Sequence, residues 1–127
     1  MLVIRSTDFE LNLSGTPQEL RQIAEVLSDL RADQSIRIPA DFTVNAAPFD
    51  RSLHAIEIAA SGGPVRISVV GDCLKVTGSE TALGIFASYF QFPDEASYGN
   101  HTHHDWMSEL DSADISPDSR SLVVSVK

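Results

Sequence analysis

The apolar positions of this chain change period several times, and each change predicts a new element. Phe9, Leu11 and Leu13 alternate with Glu10 and Asn12, the period of a half-buried strand. Leu2 to Arg5 either extend that strand or form a short one before it. Ser14-Gly15 ends the alternation, and Thr16-Pro17-Gln18-Glu19 has the form of a helix start. Thr16 would accept from the third helical amide, Glu19 would reach back to the cap, and Pro17 falls where a missing N–H costs nothing. Leu20, Ile23, Ala24, Leu27 and Leu30 follow at helical spacing, which predicts a helix to about Ala32. A short strand is expected at Ile36 to Ile38. Residues 39–51, with Pro39, Asn45, Pro48 and Asp50, read as a loop. His54, Ile56, Ile58 and Ala60 alternate with Ala55, Glu57 and Ala59, giving a strand that ends at the turn Ser61-Gly62-Gly63-Pro64. Val65, Ile67 and Val69 begin the next strand. Gly71-Asp72 suits a two-residue hairpin turn, returning through Leu74 and Val76. A second helix is expected from about 79 to 92, burying Leu83, Phe86, Ala87 and Phe90 and stopped by Pro93. Gly99–Met107 and Leu122–Val126 read as the last strands.

The two helices open alike. Gly15-Thr16-Pro17-Gln18-Glu19-Leu20 and Gly78-Ser79-Glu80-Thr81-Ala82-Leu83 lie 63 positions apart. The chain reads either as a duplicated strand–helix–strand–strand unit or as the ordinary look of a two-helix α+β chain. Both readings give a single domain over residues 1–127, of α+β class. Its mainly antiparallel sheet would carry both helices on one face, with the other face partly open to solvent.

Charge narrows the function. The chain has 18 Asp and Glu against 9 Lys and Arg, a net charge of −9. Such a surface repels phosphate backbones and anionic membranes, so neither nucleic acid nor membrane is expected as a partner. A basic protein or a cation is the natural one. The single cysteine, Cys73, leaves no intrachain disulfide and fits a reducing compartment. The first residues lack the pattern of a signal peptide, and no apolar run approaches the ~20 residues a membrane helix needs. A cytoplasmic protein is expected.

The acid is unevenly spread. Between Lys75 and Arg120 there is no cation, while Glu80, Asp94, Glu95, Asp105, Glu109, Asp111, Asp114 and Asp118 fall in that interval. Asp105, Trp106, Glu109, Asp111, Asp114 and Asp118 form the candidate partner-binding set, with an aromatic anchor ringed by steering carboxylates. His101-Thr102-His103-His104-Asp105 is the one cluster with ligand chemistry. On a strand, His101, His103 and Asp105 share a face and could hold zinc or iron with an open position. Ligands from a single strand lack closing residues, so no metal or other cofactor is expected. Cys73 beside a turn, with no histidine near it in sequence, reads as structural. Neither a nucleophile elbow nor a phosphate loop is present. No catalytic residue is assigned, and the protein is not expected to be an enzyme.

The helix followed by Gly99-Asn100-His101-Thr102-His103-His104-Asp105, and the linker ending Ile115-Ser116-Pro117-Asp118-Ser119-Arg120-Ser121-Leu122-Val123-Val124, resembles the immunity protein 32 family. These are small bacterial proteins of polymorphic toxin and contact-dependent competition systems. The resemblance covers about residues 79–127, and the first half is similar only through its Gly-Thr-Pro-x-Glu-Leu helix start. It implies an α+β immunity protein that neutralises a cognate toxin domain inside the cell that makes it, and it brings no catalytic residues. An acidic protein suits a basic toxin such as a nuclease, with carboxylates standing where phosphates would sit. The alternatives are a small metal-binding protein or metal-dependent enzyme using His101, His103 and Asp105, and an acidic adaptor for another basic protein.

Overall fold

Both helices begin where a hydroxyl takes up a first-turn amide. In α1 (Pro17–Asp29) the Glu19 amide donates to Thr16 Oγ1 at 3.2 Å, and the Thr16 amide donates to Glu19 Oε1 at 3.0 Å. In α2 (Glu80–Ala87) the Ala82 amide donates to Ser79 Oγ at 3.1 Å. Both end earlier than their apolar period suggests. Leu30 is already extended, because the next amide, of Arg31, is taken by the Gln34 side chain at 2.9 Å. α2 tightens into a 3-10 turn at Ser88–Phe90, so the chain leaves the helix before Pro93. The structure, a computed structural model, describes residues 1–105 and 115–127.

The strands are β1 (Val3–Ser6), β2 (Glu10–Gly15), β3 (Ser35–Pro39), β4 (Arg51–Ser52), β5 (Ala55–Ala60), β6 (Arg66–Val70), β7 (Cys73–Gly78), β8 (His101–His104) and β9 (Ser121–Val126). The class is α+β, but the expected single sheet is two. One has the order β4-β1-β2-β9-β8 and the other β3-β5-β7-β6. Within each, hairpins are antiparallel and one parallel seam joins them, β2 to β9 and β5 to β7. The helices pack on each other, and their buried stripes join the buried alternates of both sheets in one core. Two expected strand residues fall outside the ladders. Phe9 is 83% exposed, since Thr7 Oγ1 accepts the Phe9 and Glu10 amides and turns the chain there. His54 precedes β5 and stacks on Phe42, with ring centroids 4.0 Å apart. Of the expected strand Gly99–Met107, His101–His104 forms the strand among the described residues, and Trp106 and Met107 lie outside them.

The repeated unit is larger than the expected strand–helix–strand–strand. It is hairpin–helix–hairpin: β1-β2-α1-β3-β5, then β6-β7-α2-β8-β9. The registers superpose, with Leu11 opposite Leu122 in one seam and Leu74 opposite Ile56 in the other. The turns superpose as well. Asp33 and Gly99 both have positive φ and donate to the Ala60 and Val126 carbonyls at 3.0 and 3.1 Å. Gln34 and Asn100 each cap the amide three residues earlier with a side-chain oxygen, both at 2.9 Å. Each half therefore lends its second hairpin to the sheet begun by the other half's first hairpin.

The cap on α1 carries a pH prediction. Burial pushes the Glu19 carboxyl up, but the Thr16 amide, the N-terminal ammonium and Lys127 outweigh it and hold it below the usual 4.5. A folded value below the unfolded one adds stability above that pH, lost as pH falls through the folded value. Glu19→Gln is therefore expected to destabilise the protein more at pH ~7 than at pH ~3. Urea unfolding at both pH values checks this, and an equal loss at both would reject it.

Candidate functional site

The acidic interval includes β8, an edge strand, and the chain that follows it. β8 is the terminal strand of the first sheet, and no described strand pairs with its far edge. Asp105 follows it directly. The chain returns at Ile115, which bridges to Val65, and the Ser116 amide donates to the Val65 carbonyl at 2.7 Å. The acid-bearing connection thus runs from the edge of one sheet to the edge strand of the other before re-entering the first as β9. Trp106, Glu109, Asp111 and Asp114 lie outside the described residues. Asp118 is exposed and held in place. It accepts from the Ser116 hydroxyl, and Arg66 Nε lies 3.2 Å from both its oxygens. Those two donors, Ser116 first, hold its carboxyl below the ordinary range.

The histidine run divides as strand alternation requires. His101 and His103 are exposed on the outer face of β8, with ring centroids 4.8 Å apart and nearly perpendicular. His101 Nδ1 lies 2.8 Å from the Gly99 carbonyl and donates to it. His104 faces inward and is buried, its ring 4.4 Å from that of Tyr89 and 5.6 Å from that of Phe86. Its Nε2 lies 2.7 Å from Thr102 Oγ1, whose hydroxyl donates to the Tyr89 carbonyl. Among the described residues no three His, Cys, Asp or Glu side chains gather as a metal-binding group. Cys73 is half-buried and accepts from Arg37 Nη1 at 2.9 Å.

A concavity on the first sheet was not signalled by the sequence. On the outer face of β1, β2 and β9, the loop carrying Val44 and Phe49 and the segment carrying Tyr98 enclose a cleft of about 460 Å³. Arg5 lies in its wall opposite Asn12 in the β1–β2 ladder. Ser14 lies beside Ser125 in the β2–β9 seam. The signal was limited to outward-facing polar residues on strands, which any half-exposed sheet shows.

Compared with known proteins, the chain matches no protein-family model, no curated protein and no solved structure.

Proposed function

We propose that this protein is a non-enzymatic immunity protein that binds and neutralises a basic toxin domain in the cytoplasm of the cell that makes both. The observation that carries the reading is the cation-free interval between Lys75 and Arg120, whose eight carboxylates include those of the connection joining two sheet edges. Glu80, Asp94 and Asp118 of this set pair with Arg31, Arg21 and Arg66, and the remaining carboxylates would raise the encounter rate with an oppositely charged partner and make that rate fall with salt. The resemblance of residues 79–127 to the immunity protein 32 family supports the same reading. The absence of a helix long and apolar enough to cross a membrane among the described residues is compatible with it.

The partner to test is a toxin domain encoded beside this gene. Neutralising Glu109, Asp111 and Asp114 together is expected to slow its association by roughly tenfold at low salt and to flatten the salt dependence. The measure is a binding time course at low and high ionic strength. An unchanged rate and slope would mean that these carboxylates form only a solvated face and that the partner docks elsewhere.

A further inference from the structure

The cleft on the outer face of the first sheet has a chemistry opposite to that of the molecule. Its lining includes Arg5 and Lys127 and neither Asp nor Glu, in a chain where acids outnumber bases 18 to 9. Arg5 Nε is enclosed and has no hydrogen-bond partner among the described residues. An enclosed donor without an acceptor is rare in a folded protein, and on a guanidinium it marks a place where an oxyanion would be held. We propose that the cleft binds a small organic anion, a carboxylate or phosphate on an aromatic or aliphatic body, with Arg5 as its principal anchor.

The neighbouring groups suit that ligand. Asn12, directly across from Arg5, and Ser125, one strand further, are neutral and able to donate. Lys127 also lines the cleft, with its ammonium donating to the Met1 carbonyl and its charge acting on Glu19 and Asp41. Phe49, Val44 and the exposed Tyr98 give apolar walls for a ring or chain. The volume is within the range of small-molecule sites.

The internal two-fold shows that the fold does not demand this polar set. Ser68 and Lys75 stand where Arg5 and Asn12 stand, and Thr77 and Ala59 where Ser14 and Ser125 stand. There the charge is closed on itself, with Lys75 Nζ 3.8 Å from the Glu57 carboxylate across the seam. The first sheet has Val123 at the position of Glu57, so Asn12 has no acid across the seam, and Arg5 forms no ion pair among the described residues, with Glu10 two positions along β2 from Asn12 on the same face.

The experiment is an amide-resonance titration of the full chain at constant ionic strength with sodium benzoate, phenyl phosphate, inorganic phosphate and neutral benzyl alcohol. Benzoate or phenyl phosphate is expected to shift Arg5, Asn12, Ser14 and Ser125 saturably, with benzyl alcohol and inorganic phosphate weaker by about tenfold or more. Arg5→Gln is expected to lose that factor without lowering the melting temperature, since it removes an unbonded charge. Asn12→Asp sets a carboxylate opposite Arg5. It is expected to raise the melting temperature and abolish the benzoate response, and it decides the matter if Arg5→Gln does not fold. The proposal is overturned if neither organic anion saturates these resonances, or if benzyl alcohol or inorganic phosphate binds as tightly. Binding of benzoate by the folded variants as by the native chain would overturn it too.

Discussion

A chain cut between Gly62 and Gly63 is expected to give two fragments, 1–62 and 63–127, that are each largely unfolded alone and regain the native fold when mixed. The cut lies in the turn linking β5 to β6, at two glycines of positive φ with no neighbour within 4 Å of a would-be Cβ, so it disturbs no packing. What it separates is the sheet partners. β2 has its parallel neighbour β9 in the other fragment, and β5 has β7 there. Each fragment alone keeps two hairpins and one helix, and isolated hairpins and helices of this length are marginal in water. The core is equally divided, because Leu20, Ile23 and Leu27 of α1 share one cluster with Leu83, Phe86 and Phe90. Circular dichroism and amide-resonance dispersion of the separate and mixed fragments test this. A fragment that melts cooperatively as a monomer would show that each half closes on itself, and would reject the exchange of hairpins.

The second large effect is expected at Phe86. Its side chain is fully buried in α2 and meets Phe90, Tyr89 and His104 edge-on, with ring centroids 5.4, 6.0 and 5.6 Å away. Phe86→Ala is expected to cost about 3–5 kcal/mol from lost burial and the cavity left behind. That is a large share of the ~5–15 kcal/mol that holds a typical domain. Ile85, its neighbour on the same helix, is 44% exposed, and Ile85→Ala is expected to change stability by no more than about 0.5 kcal/mol. Urea unfolding of the two variants makes the comparison. A loss below about 1 kcal/mol at Phe86 would mean that the helix pair does not pack as described.

The sequence reading succeeded where the physics is local. The Thr16–Glu19 box, the Gly71-Asp72 turn and the Leu83–Phe90 stripe depend on residues within a few positions of one another, and each is present in the structure. The outward alternation of His101 and His103 belongs to the same class. The candidate site was less legible. Asp118 looks in sequence like one more free acid, yet it is tied to Arg66, 52 residues away. Arg5 and Asn12 look like ordinary outward polar residues until the covering loop and β9 are in place. His104 looks like a third surface histidine, and its burial depends on α2 packing over β8 through Phe86 and Tyr89.

By itself the sequence determined the helix starts, the strand faces, the α+β class and the concentration of acid in one interval. Caps, turn residues and apolar periods act over one turn or one strand, and charge is simply counted. Only the tertiary structure decided that the sheet is two, that the duplicated unit is a hairpin–helix–hairpin, and that each half completes the other's sheet. A strand's alternation says which face is buried but not which edge it will meet. Leu122 to Val126 would suit a parallel seam beside β7 or beside β2, and the choice rests on how both helices and both hairpins fill one core together. The same non-local choice left Arg5 in no ion pair among the described residues, on the wall of the cleft.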